Sequence, residues 1–345
     1  MAQALAIKYR PKSFDDVIEQ STIKAILREQ LDSNMIQHCY LFVGGAGTGK
    51  TTCARIFANE INQGKGNPIE LDAASNNSVD DMRELIQQAQ TKSLDSEYKC
   101  FIIDECHMIT VQGWNAILKL IEEPPAKAIF IFATTDPQKI PKTILSRVQR
   151  YDFQRISQQG IVDRLTLIIQ LEMLGGNQIQ AKTDALEYIA KIADGGMRDA
   201  ITLLDKCLSF ATDITLKNVV SALGTVDYSI MIRLVDATIQ NDESHVVSII
   251  EDIHNDGKDI KRFLKQFIHF LLDIEKYSIG CDWQYISIPR LVEYEKWLSN
   301  GNESHFGIIQ SLIKVLIRLN SQIKYSDTAK LDLEAELLVF MGDNQ

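Results

Sequence analysis

An α/β domain with a parallel sheet flanked by helices, followed by two all-helical domains, is the architecture predicted by this sequence of 345 residues. Three observations carry that expectation. Short apolar runs rich in β-branched and aromatic residues alternate with helical stretches through the first half. One turn between them has the glycine pattern of a phosphate loop. After about Ser157 no convincing strand is found, and helical patterns follow one another to the end. The expected domains are therefore 1–157 (α/β, carrying the phosphate loop), 158–222 (a first helical block) and 223–345 (a second helical block), which suits a chain length of two or three domains.

Strands are expected at Cys39–Val43, Ile69–Leu71, Lys99–Ile103 and Ala128–Ala133, with a more mixed one at Val148–Phe153. Helices are expected at Lys50–Asn62, Val79–Gln90 and Val111–Glu122. In the last, Trp114, Ile117, Leu118 and Ile121 fall at i, i+3, i+4 and i+7 and form one apolar stripe, while Asn115, Lys119 and Glu122 face elsewhere. Pro124-Pro125 ends that helix. Gly175-Gly176 and Gly195-Gly196 punctuate the next block. Further on, Asp259–Tyr277 is apolar at Ile260, Phe263, Leu264, Phe267, Ile268, Leu271 and Leu272, and Ser304–Ile323 is apolar over much of its circumference. Burial inside a bundle and a subunit interface both account for such helices.

A composition of 45% hydrophobic and 24% charged residues excludes wholesale disorder. No apolar run approaches the ~18 residues of a spanning helix, and the opening MAQALAIKYRPKSF has no long apolar stretch and no small-residue cleavage site. A cytoplasmic location without membrane partners is expected. Six sparse cysteines without a C-x-x-C pair indicate neither a disulfide scaffold nor a zinc or redox motif. Residues 1–158 hold 18 basic and 19 acidic side chains, the remainder 18 and 27, so most of the net charge of −10 lies in the second half. Bulk charge argues against non-specific nucleic-acid binding and leaves room for a basic strip in the first half.

Gly44-Gly45-Ala46-Gly47-Thr48-Gly49-Lys50-Thr51 satisfies G-x-x-x-x-G-K-[ST] between an expected strand and an expected helix. Glycines let backbone N–H groups converge on a phosphate, and the helix N-terminus adds partial positive charge. Gly45, Ala46, Gly47, Thr48, Gly49, Lys50, Thr51 and Thr52 are the expected cradle. Lys50 reaches the β- and γ-phosphates of ATP, and the Thr51 hydroxyl can ligate Mg²⁺. Asp104 ends an apolar strand, where it can hold Mg²⁺, and Glu105 beside it can polarise an attacking water as general base. An expected strand between the two motifs suits P-loop ATPases more than nucleotide kinases.

These residues sit among longer matches. Leu5–Pro11 with Phe14–Ile18, the Asp104-Glu105-Cys106-His107 box, Asn115–Pro125, Ala133–Pro141, Ile144–Arg147, Gly195–Ala200 and Asp332–Phe340 together resemble the clamp-loader AAA+ ATPases, nearest to the gamma/tau subunits of bacterial DNA polymerase III. The resemblance covers essentially the whole chain and is densest over 1–205. It implies that Ala6, Arg10, Pro11, Val17 and Ile18 line the adenine pocket and that Thr135 senses the γ-phosphate. It also implies that Arg147 is an arginine finger acting in trans on a neighbouring subunit and that Arg198 is a second sensor on a helical lid at 158–222. A monomer would then lack a complete catalytic site, and activity would need a ring or pentameric assembly of clamp-loader subunits, held by a collar at 223–345. The tip of Val111–Glu122 would meet the sliding clamp. Primer–template DNA would meet helix N-termini and basic groups such as Arg83 and Lys119, although a solvated helix face explains Lys119 equally well.

The departures also carry expectations. The family usually has a four-cysteine zinc module where this chain has Asn62–Pro68, so no zinc is expected. Val148 stands where cysteine is usual after Ser146-Arg147, and Asn76 and Ser78 stand where basic residues are common. The chain ends after the expected collar, which suggests a gamma-like length. The function implied is an ATPase motor subunit of a sliding-clamp loader in DNA replication. A different AAA+ DNA-remodelling ATPase (branch migration or helicase loading) and a non-catalytic clamp-loader scaffold are the alternatives.

Overall fold

The computed structural model describes residues 3–93, 95–223, 228–286, 297–298 and 306–343. It divides into two compact units, Met1–Ser209 and Phe210–Gln345.

The first unit is built on five parallel strands: β1 (Cys39–Val43), β2 (Ile69–Asp72), β3 (Lys99–Asp104), β4 (Ala128–Thr134) and β5 (Gln149–Asp152), in the order β2-β3-β4-β1-β5. Each lies at or within two residues of its expected position. Helices α1 (Leu5–Lys8), α2 (Ser21–Asp32), α3 (Lys50–Ile61), α4 (Val79–Gln90), α5 (Val111–Glu122) and α6 (Lys142–Leu145) connect and flank them. Alternation along each strand divides the core. Leu41, Phe101, Ile103, Phe130 and Phe132 face α4 and α5, where Met82, Leu85, Trp114, Ile117 and Ile121 meet them. Tyr40, Phe42, Ile102, Ile129 and Ile131 face the opposite side with Phe57, Ala54 and Leu27. A strand covered on both faces has no polar side to show, which is why β1, β3 and β4 read as unbroken apolar runs. The unit continues through α7 (Gln158–Leu174), α8 (Thr183–Ile192) and α9 (Met197–Phe210).

Leu120 is buried on α5 with Trp114, Ile117 and Ile121, whereas Leu118 is half-buried. The helical region also holds two strands of two residues each, β6 (Gln180–Ala181) and β7 (Asp213–Ile214), too short to leave a periodic signal.

The second unit holds α10 (Leu216–Leu223), α11 (Tyr228–Ile239), α12 (Glu243–Asn255), α13 (Ile260–Ser278), α14 (Phe306–Gln322) and α15 (Ala329–Asp343). Asp259 caps α13 by accepting from the amides of Lys261 and Arg262. Helix α13 packs on both α14 and α15, and Ile260, Phe263, Leu264, Phe267, Ile268 and Leu271 are buried in one core. Burial within this bundle thus accounts for its wide apolar face, with Leu272 packed at the margin. Residues 304 and 305 of the expected helix at Ser304–Ile323 lie outside the described residues.

Candidate active site

Parallel pairing brings the carboxyl ends of β1, β3 and β4 to one edge: Val43 is level with Thr134, and Asp72 with Asp104. In such sheets that edge is where ligands bind. The loop leaving β1 runs from Gly44 to Gly49 and opens directly into α3. Gly47 has φ +69° and Gly49 φ +102°, values that favour glycine. At Gly47 space is also tight, because a Cβ would lie 3.1 Å from the Cα of Gly196 and 3.2 Å from the amide nitrogen of Arg198, which would have to give by a few tenths of an ångström. The amide of Met197 donates to the carbonyl of Gly47 at 3.0 Å, so the start of α9 is held against the loop.

A cavity of about 270 Å³ opens there. Of the expected residues, Ala6, Arg10, Pro11, Val17, Ile18, Ala46, Gly47, Thr48, Gly49, Lys50, Thr51, Thr52, Asp104, Glu105 and Arg198 line it. Gly45 is not in the lining; its carbonyl accepts from Lys50 Nζ at 2.7 Å and from Thr48 Oγ1 at 2.9 Å. Lys50 Nζ also donates to the Gly44 carbonyl at 2.8 Å. Burial pushes the Lys50 ammonium below its usual pKa, and the carboxylates of Glu105 and Asp104 oppose that shift. A desolvated ammonium near a loop of converging amides is well placed to gain from an incoming phosphate.

The Thr51 hydroxyl donates to Asp104 Oδ2 at 2.7 Å. These two hard oxygen donors beside the loop fit Mg²⁺, which takes few protein ligands and completes its octahedron with phosphate and water. Glu105 follows in a left-handed conformation at φ +45°. Its Oε2 accepts from the Thr135 hydroxyl at 3.1 Å, joining the tips of β3 and β4.

Arg147 is not part of the cavity lining. Its guanidinium pairs with Glu122 at 2.8 Å and donates to the Thr143 carbonyl at 2.7 Å, at about 38% exposure. Arg83 and Lys119 are exposed, and Arg83 pairs with Asp80 at 2.9 Å.

Sequence reasoning missed Tyr9, Asp16, Ile156, Arg164, Met197, Asp199 and Ile201, which also line the cavity. Tyr9 and Asp16 lie within the matched opening segments and were legible by adjacency. Arg164 had no such signal: it sits inside α7, where its Nη2 donates to the Tyr9 carbonyl at 2.8 Å. Burial holds its pKa below the usual arginine range, and the Asp16 carboxylate offsets part of this. Nearby, Glu172 accepts from Lys8 Nζ (2.6 Å), the Tyr9 hydroxyl (2.8 Å) and Asn177 Nδ2 (2.6 Å), fastening the N-terminal segment to α7.

Solved structures sharing this fold include the RuvB Holliday junction branch migration motor of Thermotoga maritima (TM-score 0.53, 21% identity, 69% of this chain and 80% of that one). A single-substitution variant of that motor is similar (TM-score 0.53, 19% identity, 85% and 92%). The fold is that of the AAA+ ATPase class. Three family models match in succession: the DNA polymerase III delta subunit over residues 69–157, the clamp-loader subunit ATPase lid domain over 161–213, and domain III of the gamma and tau subunits over 214–338. DNA polymerase III subunit tau of Bacillus subtilis is 38% identical across 97% of this chain. Subunit gamma of Buchnera aphidicola is 30% identical across 97% of this chain and 98% of its own length. The chain belongs to the gamma/tau clamp-loader subunit family of DNA polymerase III. It spans 62% of the Bacillus tau subunit and 50% of the gamma/tau subunit of Mycobacterium tuberculosis, to which it is 36% identical. Among the described residues no single helix is long and apolar enough to cross a membrane.

Proposed function

We propose that the chain is an ATPase motor subunit of a sliding-clamp loader, coupling ATP binding and hydrolysis to opening a clamp and placing it on primer–template DNA. The observation that carries this reading is the convergence of Lys50, Thr51, Asp104 and Glu105 on one cavity that Arg198 also lines, with Thr135 bonded to Glu105. A scaffold subunit has no use for that set.

Ala6, Arg10, Pro11, Val17 and Ile18 enclose the adenine, while the loop amides and Lys50 hold the β- and γ-phosphates. Thr51 and Asp104 would hold Mg²⁺, which neutralises charge on the phosphate oxygens when bound. Glu105 draws a proton from the water that attacks the γ-phosphorus as the bond to the β–γ bridging oxygen breaks and ADP leaves with phosphate, and Thr135 keeps that carboxylate at the β4 tip. Arg198, on the first turn of α9, neutralises phosphate charge and brings the lid (158–222) over the nucleotide. Arg147 lies outside its own cavity and serves the site of an adjacent subunit in a ring held by the collar (223–345). Arg83 and Lys119 contact the DNA backbone, and the work is cytoplasmic.

The test is steady-state ATPase of the chain assembled with its partner subunits, with and without clamp and primed DNA. Stimulation by both together is expected, and Glu105→Gln should bind ATP and leave it unhydrolysed. Hydrolysis indifferent to the clamp would sink clamp loading and keep the ATPase. Unaltered behaviour of Glu105→Gln would return the chain to a scaffold role.

A further inference from the structure

The turn after β3 carries one polar side chain that the phosphate chemistry leaves unused. His107 lies in the short 3-10 turn Cys106–Met108, with its side chain 12% exposed. Its Nδ1 is 3.1 Å from the hydroxyl oxygen of Thr134 and 3.3 Å from Oε2 of Glu105. Thr134 is the fully buried last residue of β4, and its hydroxyl oxygen also accepts the amide of Asp136 at 2.9 Å, bracketing Thr135. The Glu105 oxygen that faces His107 is the one that accepts from Thr135. One imidazole nitrogen therefore stands between the general base at the tip of β3 and the loop that presents Thr135 at the tip of β4. Glu105 has a left-handed backbone, a conformation that a non-glycine residue keeps only where its surroundings fix it.

We propose that His107 is a positioning residue for hydrolysis: its Nδ1–H, shared between Glu105 and Thr134, keeps the Glu105 carboxylate in register with Thr135. An ionised carboxylate can only accept, so the bond to Glu105 requires the proton on Nδ1, and the Thr134 hydroxyl can serve as acceptor in that tautomer. His107 is not itself in the lining of the nucleotide cavity and reaches it only through Glu105, so its loss acts on the water-activating step and spares ATP binding.

The inference rests on the ATPase reading above, and the experiment separates the two. Wild type, His107→Ala, His107→Asn and His107→Gln are each assembled with the partner subunits, clamp and primed DNA, and kcat and KM for ATP are measured. An asparagine amide can offer a donor near the place of Nδ1, and a glutamine amide offers one near the place of Nε2. His107→Ala and His107→Gln should lower kcat about tenfold or more, since small misplacements of a catalytic group are costly. Their KM should stay within about twofold, as expected for loss of an interaction that matters at the chemical step. His107→Asn should recover most of kcat. An unchanged kcat in His107→Ala, or Asn no better than Gln at equal thermal stability, overturns the role. Absence of hydrolysis in wild type overturns the ATPase reading itself and this role with it.

Discussion

The hydroxyl of Thr51 donates a hydrogen bond of 2.7 Å to Oδ2 of Asp104, joining the first turn of α3 to the tip of β3. The strands that lead to these residues, β1 and β3, are separated in the sheet by β4. Oxygen donors from two distant stretches of chain are thus prepaired beside the phosphate loop. Asp104→Asn keeps the shape and removes the charge. It should cut Mg²⁺-dependent hydrolysis by about 10²-fold or more, while nucleotide affinity measured in EDTA changes little. Equal hydrolysis by the variant and wild type would remove Asp104 from the metal site.

The Arg147–Glu122 pair is exposed on both sides, so it contributes no more than about 1 kcal/mol to folding. Arg147→Ala should leave the melting temperature unchanged and lower ATPase of the assembled complex by about 10³-fold, the scale of a missing arginine finger. Mixing it with a Lys50→Ala chain should restore part of the activity if the two residues act across a subunit boundary. A loss confined to the variant's own site, with no complementation, would contradict action in trans.

Gly47 combines φ +69° with the approach of Gly196 and Arg198. Gly47→Ala strains both the phosphate loop and the start of α9, at a cost of about 1–3 kcal/mol. Chemical denaturation should show that loss, and ATP affinity should fall with it because the loop must shift. Gly49→Ala meets no neighbouring atom within 4 Å and is strained by its φ of +102° alone, so it should cost less.

Glu172 is buried, and its bonds from Lys8 and then Tyr9 hold its carboxyl below the usual carboxylate pKa. A lowered folded-state pKa means that the unfolded chain binds the proton more readily. The network's contribution is therefore complete above the unfolded pKa of about 4.3 and is lost as pH falls through the folded value. Wild type and Glu172→Gln should differ in urea midpoint at pH 7 and converge in acid. A gap that stays constant down to pH 3 would mean that the charge on Glu172 contributes nothing.

Much of the first unit was legible because its physics is local. The strands β1, β3 and β4 are covered on both faces, so the residues through their middles are apolar on both sides, and their positions could be read directly. The phosphate loop was legible because few residues other than glycine tolerate the φ of positions 47 and 49. The stripe on α5 was only partly legible. That helix packs against both the sheet and α4, so Leu120 is buried beyond the single stripe that periodicity marks.

The sequence by itself determined which segments become strands and helices, which loop has the form of a phosphate cradle, and which carboxylates end and follow β3. Those follow from side-chain period, backbone sterics and residue chemistry within a few positions of each other. Tertiary structure alone decided that Thr51 meets Asp104, that Arg164 supports the cavity from inside α7, and that His107 stands between Glu105 and Thr134. Strand order sets the first and third and the packing of α7 on the N-terminal segment sets the second, and both depend on how distant apolar faces close on one another. No local pattern encodes either.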